Sequence, residues 1–171
     1  AAASDVYKRQ VQYSLIDRRP ETNMAQYCRG QGIHILAYGT LAGGLLSDRY
    51  LGQSEPSRAT LTTASLNKYK QMVDVWGGWD LFQELLRALK RVADRHQVSI
   101  ADVAMRYILD RPAVAGVIVG VRLGIADHIE DNARLFGLEL KPVDLDEIES
   151  VLSRSHDLYR AIGDCGDEYR R

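Results

Sequence analysis

Apolar residues recur along the chain with two different periods, and each change of period marks a new element. Trp79 to His96 carries Leu81, Phe82, Leu85, Leu86, Leu89, Val92 and Ala93 on one stripe, with Lys90, Arg91, Asp94 and Arg95 opposite. That spacing of three and four predicts an amphipathic helix lying on a core. Ser99 is placed to cap the next helix, which turns Val103, Ala104, Tyr107 and Ile108 inward until Arg111-Pro112 stops it. Another helix runs from about Asn23 to Arg29 and is closed by Gly30 and Gly32. Two more are predicted over roughly Ala126–Phe136 and Asp144–Ser155, the latter opening on acidic residues suited to a helix N-terminus.

Short apolar runs separate these helices. Val11–Leu15, Ile33–Tyr38 and Val114–Val119 are predicted strands, the second apolar enough for burial on both faces. Asp17-Arg18-Arg19-Pro20 is a polar break, and its proline forbids further ladder pairing. A glycine-rich loop, Gly39–Leu46, follows the second strand. Leu51–Asn67 is rich in Ser, Thr, Gly and Pro without periodicity, and reads as a long excursion of the kind that lines ligand sites. Strands separated by helices pair in parallel through right-handed crossovers, so the fold class is α/β. Three strands alone make neither a barrel nor a covered sheet, and the chain is expected to be part of something larger.

Composition sets the remaining bounds. With 171 residues, 46% of them apolar, and a formal charge of -1, the chain has the makings of one ordinary domain. Lys and Arg are interleaved with Asp and Glu, which speaks against a nucleic-acid or membrane partner and puts the Arg-Arg pairs at the surface. Cys28 and Cys165 are too few for a disulfide framework, and a reducing compartment such as the cytoplasm is expected. No apolar run approaches the roughly 18 residues of a membrane span. Ala2–Gln10 looks like the translation of a transposase sequencing adapter, so residues 1–10 are set aside and 11–171 are read as the domain.

The chemistry is concentrated from Val114 to Asn132. Gly120 and Gly124 let the backbone approach a ligand, the following helix offers free N–H groups, and Arg122 adds a fork-shaped charge, together making an anion site. His128, Asp131 and Asn132 share a helix face that could reach an adenine or ribose. The same residues also fit an ordinary strand-to-helix connection with solvated polar groups. Trp76-Gly77-Gly78-Trp79 fits either an aromatic lid or a helix-start staple. His34 alternates with inward strand positions and is expected in the core, while His96 and His156 are expected at the surface. No Cys, His or carboxylate cluster has metal-ligand spacing.

Three segments, Val11-Gln12-Tyr13-Ser14-Leu15-Ile16-Asp17-Arg18, Leu36-Ala37-Tyr38-Gly39-Thr40-Leu41-Ala42-Gly43-Gly44-Leu45-Leu46 and Val117-Ile118-Val119-Gly120-Val121-Arg122, together with Glu130-Asp131-Asn132, carry a resemblance. From Val11 to Arg171 the sequence resembles the C-terminal half of the aldo-keto reductases, whose fold is a (β/α)8 TIM barrel. The resemblance implies a partial barrel, roughly the last three βα units plus C-terminal helices, with ligands at the carboxyl ends of the strands. It implies NADP as cofactor and a small-molecule carbonyl compound as substrate of the full-length protein.

By the same resemblance, Tyr38 stacks on the nicotinamide, although a tyrosine ending a strand also serves plain packing. Gly39, Thr40, Leu41, Gly43 and Gly44 pass along the pyrophosphate, Thr40 standing where many relatives have proline. Gly120 and Arg122 lie beside the adenosine 2′-phosphate, Asp131 and Asn132 beside the adenine, and His128 is counted with them. Gln10 occupies the position of a carboxamide-binding glutamine, inside the adapter-like stretch. The tyrosine, lysine, aspartate and histidine that supply the family's acid chemistry come from the first half of the barrel, so no catalytic residue is assigned here. The expectation is a fragment of an NADP(H)-dependent reductase that is inactive alone. A non-catalytic, nucleotide-binding or regulatory subunit of the same fold is the alternative.

Overall fold

Three parallel strands, β1 (Gln10–Gln12), β2 (Ile35–Tyr38) and β3 (Val114–Ile118), form one sheet in that order. The structure is a computed structural model, and it describes residues 10–120 and 135–163. Between β1 and β2 lies α1 (Met24–Gly30). Between β2 and β3 lie α2 (Ala64–Trp76), α3 (Gly78–His96) and α4 (Ile100–Leu109), and after β3 come α5 (Pro142–Leu152) and α6 (Leu158–Ile162). The helical crossovers account for the parallel pairing.

Register sorts the side chains by face. Val11 pairs with Ala37 and Ala37 with Val117, and this row packs into the core. Pleating turns the next row, Gln12, Tyr38 and Ile118, to the other side. That side stays partly open: Leu36 and Tyr38 are half-buried and Ile118 is exposed. Burial of the second strand on both faces is therefore not observed: Ile35 and Ala37 are buried, whereas Leu36 and Tyr38 on the opposite face are only half-buried. On the Ile35 side α1 contributes Ala25 and Cys28 to a small cluster with Ile35, apart from the main core.

The main core forms around α3, whose Phe82, Leu85, Leu86, Leu89, Val92 and Ala93 are fully buried, as its spacing predicts. Burial of large apolar side chains contributes about 1.5–3 kcal/mol each, which makes this helix the main anchor of the fold. The α4 start has a capping box: Ser99 Oγ accepts from the Asp102 amide at 3.1 Å and the Asp102 carboxylate accepts from the Ser99 amide at 2.9 Å. Trp76 and Trp79 are buried, and Trp79 Nε1 donates to the Gln53 carbonyl at 2.9 Å. They are core residues that pin the excursion, not a mobile lid.

Other expectations are corrected by specific contacts. The first strand ends at Gln12 because Ser14 turns the chain, its Oγ accepting from the Ile16 and Asp17 amides at 3.2 and 3.0 Å. The polar break after it is not a solvated surface: Asp17 is fully buried and paired with Arg19 at 2.7 Å. The excursion ends sooner, because Thr63 caps α2 by accepting from the Leu66 amide. His34 precedes β2 and is exposed. His96 is half-buried, with Nε2 at 2.7 Å from Asp144. Leu135–Gly137 is a 3-10 turn that leaves Phe136 exposed, and the rest of the helix expected over Ala126–Phe136 lies outside the described residues up to residue 134.

Candidate functional site

In a parallel sheet every strand delivers its carboxyl end to the same edge, and here Tyr13, Gly39 and Val119 are the first residues past that edge. The chain after β1 is closed by polar contacts. The Gln12 side-chain amide donates to Asp17 at 2.7 Å, and Arg19 donates to both oxygens of the same carboxylate at 2.7 Å. Arg19 also reaches the Gly163 carbonyl at 3.2 Å, tying the end of α6 to this edge.

A second polar cluster stands beside it. Tyr13 donates to Glu21 at 2.8 Å, Arg18 bridges Glu21 and Glu149 at 2.7 and 3.0 Å, and Tyr107 donates to Glu149. The Arg111 guanidinium covers the Tyr107 ring at 4.1 Å. Burial, together with the Glu21 carboxylate, pushes the Tyr13 phenol above the usual tyrosine range, and burial with the Glu149 hydrogen bond does the same to Tyr107. Both hold their protons more tightly than a free tyrosine, the opposite of what an acid catalyst requires.

The chain after β2 is built differently. Tyr38 ends the strand half-buried, with Gln12 and Ile118 as its row neighbours, and its carbonyl accepts from the Tyr13 amide at 3.1 Å. Gly39 and Gly43 follow in the left-handed region, both at φ 67°, with Ala42 at 48° and Gly44 at 96°. The Ala42 amide bonds the Gly39 carbonyl and the Gly44 amide the Leu41 carbonyl, each at 2.9 Å, so the loop folds as two tight turns. Thr40 is buried, and Leu41 packs against the core. Gly44 and Gly120 have no described atom within 4 Å of where a Cβ would stand.

The structure thus brings Tyr38, Gly39, Thr40, Leu41, Gly43 and Gly44 together at one strand end, with Gly120 at the end of the neighbouring strand. Arg122, His128, Asp131 and Asn132 lie outside the described residues. Among the described residues no group of three or more His, Cys, Asp or Glu side chains could hold a metal, and no helix is long and apolar enough to cross a membrane. The sequence reasoning missed Tyr69 and Ser65, which press on the glycine loop from α2. Their only signal was a spacing of four inside a segment partly read as loop.

The described residues thus place an aromatic and a left-handed glycine loop at the carboxyl edge of a parallel sheet. Residues 3–153 match the aldo/keto reductase family, and the chain belongs to that family. Protein tas of Escherichia coli is 29% identical over 140 residues, a match spanning 81% of this chain and 38% of that protein. The chain thus spans about two fifths of that relative's length. The same fold occurs in a glycerol dehydrogenase from Gluconobacter oxydans, with a TM-score of 0.66, 19% identity, and coverage of 85% of this chain and 42% of that one. It occurs again in an aldo/keto reductase from Klebsiella pneumoniae solved with NADP and acetate, with a TM-score of 0.52, 16% identity, and coverage of 84% and 38%.

Proposed function

We propose that this chain supplies the cofactor-binding part of an NADP(H)-dependent reductase of aldehydes or ketones, equivalent to the last three βα units of an eight-stranded barrel. The observation that carries the reading is the half-buried Tyr38 at a strand's carboxyl end, followed directly by a loop with three left-handed glycines. An aromatic face at that place suits a flat ring, and the amides of a glycine turn suit a diphosphate. When bound, the dinucleotide supplies the hydride that reduces the carbonyl carbon.

This chain's own residues bind and orient. Tyr38 holds the nicotinamide by stacking, and Gln10, in the row below on β1, stands on the same sheet face for its carboxamide. Gly39, Thr40, Leu41, Gly43 and Gly44 follow the diphosphate. Gly120, Arg122, His128, Asp131 and Asn132 take the adenosine end, with Arg122 as the fork for the 2′-phosphate. The proton for the developing alkoxide comes from a group outside this chain, a reading supported by the upward-shifted phenols of Tyr13 and Tyr107.

Titration with NADPH and NADH, followed by fluorescence, tests the assignment. Arg122→Ala should weaken NADPH binding and leave NADH binding little changed, and equal loss of both overturns the role given to Arg122. The purified chain should consume no NADPH with any carbonyl compound. Turnover that survives purification overturns the placement of the acid outside the chain.

A further inference from the structure

Two glycines of the loop are fitted to a side chain. A Cβ added at Gly39 would overlap the Tyr69 hydroxyl, and one added at Gly43 would stand 2.8 Å from a Tyr69 ring carbon and 3.2 Å from Ser65 Oγ. At Gly44 the same atom would meet nothing within 4 Å. Ser65 and Tyr69 are one turn apart on α2 and share a face. Tyr69 is only 8% exposed, so its ring is wedged between helix and loop.

The helix that presents this ring is held along its length. Thr63 caps its start, Trp76 is sunk in the core at its end, and Lys70, next to Tyr69, pairs with Glu55 at 2.7 Å and with Asp74. The loop is anchored by the buried Thr40, Ala42, Leu45 and Leu46, but at Gly39 and Gly43 it has no side chain of its own, and glycines adopt many conformations when nothing presses on them. A fixed ring against Gly39 and Gly43 removes those alternatives before any ligand arrives.

We propose that Tyr69 is a positioning residue whose ring holds the Gly39–Gly44 loop in the turn that presents its backbone to the diphosphate of a dinucleotide. The proposal rests on the dinucleotide reading above. Without the ring, the loop must be ordered at the expense of binding, which weakens affinity by about tenfold for each residue newly fixed.

The test uses the full chain and two probes: NADPH, and adenosine 2′,5′-bisphosphate, which lacks the diphosphate bridge and the nicotinamide. Tyr69→Leu should weaken NADPH binding about tenfold and leave the bisphosphate unchanged, while Tyr69→Phe stays within about threefold of the parent for both. Tyr69→Met, which keeps a long side chain in the same space, carries the same expectation as Tyr69→Leu and covers the case in which the leucine variant fails to fold. Equal weakening of both probes, or NADPH binding that ignores the substitutions, overturns the proposal alone. A parent chain that binds neither probe overturns the dinucleotide reading and this proposal with it.

Discussion

The carboxyl ends of β1 and β2 stand side by side, yet one is closed by charge and the other by shape. After β1, the buried Gln12 and Asp17 and the half-buried Arg19 form one bonded set, with Asp17 fully out of solvent. After β2, a tyrosine ring lies on two glycines, and the next glycine faces open space. A charge-closed end cannot open without stranding its partners away from water. A shape-closed end holds its backbone by packing alone, so a change there costs contacts and strands no buried charge.

That contrast can be broken most directly at Asp17. Asp17→Ala removes the buried carboxylate that Arg19 and the Gln12 amide share, and should cost about 3–5 kcal/mol in urea unfolding. A cost below about 1 kcal/mol would put this end in the same class as an exposed ion pair.

A second charge-closed place, the junction of α3 and α5, sharpens the comparison. Asp144 is buried at the start of α5, with His96 at 2.7 Å, Arg95 at 2.8 Å and the Lys141 amide at 2.9 Å. Burial pushes its carboxyl up, but the bonds from His96, Lys141 and Arg95 outweigh burial and hold it below its ordinary value of 3.8. Because the folded-state value is depressed, the stability it contributes is complete above that ordinary value and is lost as pH falls through the depressed one. Asp144→Asn should cost about 2 kcal/mol at neutral pH and flatten the acid limb of the stability curve measured by urea unfolding. An unchanged acid limb would remove Asp144 from the charge-closed set.

At the shape-closed end the effects should be smaller and graded by position. Gly39→Ala meets both a positive φ and the Tyr69 hydroxyl, and should cost about 1–3 kcal/mol. Gly44→Ala meets the positive φ in open space, and should cost about 1 kcal/mol. Thermal unfolding of the two variants side by side reads the difference, and equal losses would show that Tyr69 exerts no pressure on the loop.

Helices α3 and α4 were legible because burial imposes a period on them, whereas α2 was not predicted and its first turn was read as loop. The stripe from Leu81 to Ala93 and the cap at Ser99 are local signals, and the structure places both as expected. The glycine loop was legible for a related reason, since left-handed turns leave a residue-type signature in sequence, while Tyr38 stood out only through the family resemblance. Partnerships between distant polar groups leave none. Nothing near Asp17 announces that its neighbour Arg19 folds back onto it and also reaches Gly163, or that His96 meets Asp144 across 48 positions. Tyr69 escaped notice because its significance lies in the missing side chains of the two glycines it touches.

The small cluster under α1 gives the molecule a clock. Cys28 is buried there with Ala25 and Ile35, a thiol with no disulfide partner sealed between one helix and the sheet. Alkylation of that sulfur, followed on its own peptide, marks each molecule once, at a rate set by how often α1 leaves the strands.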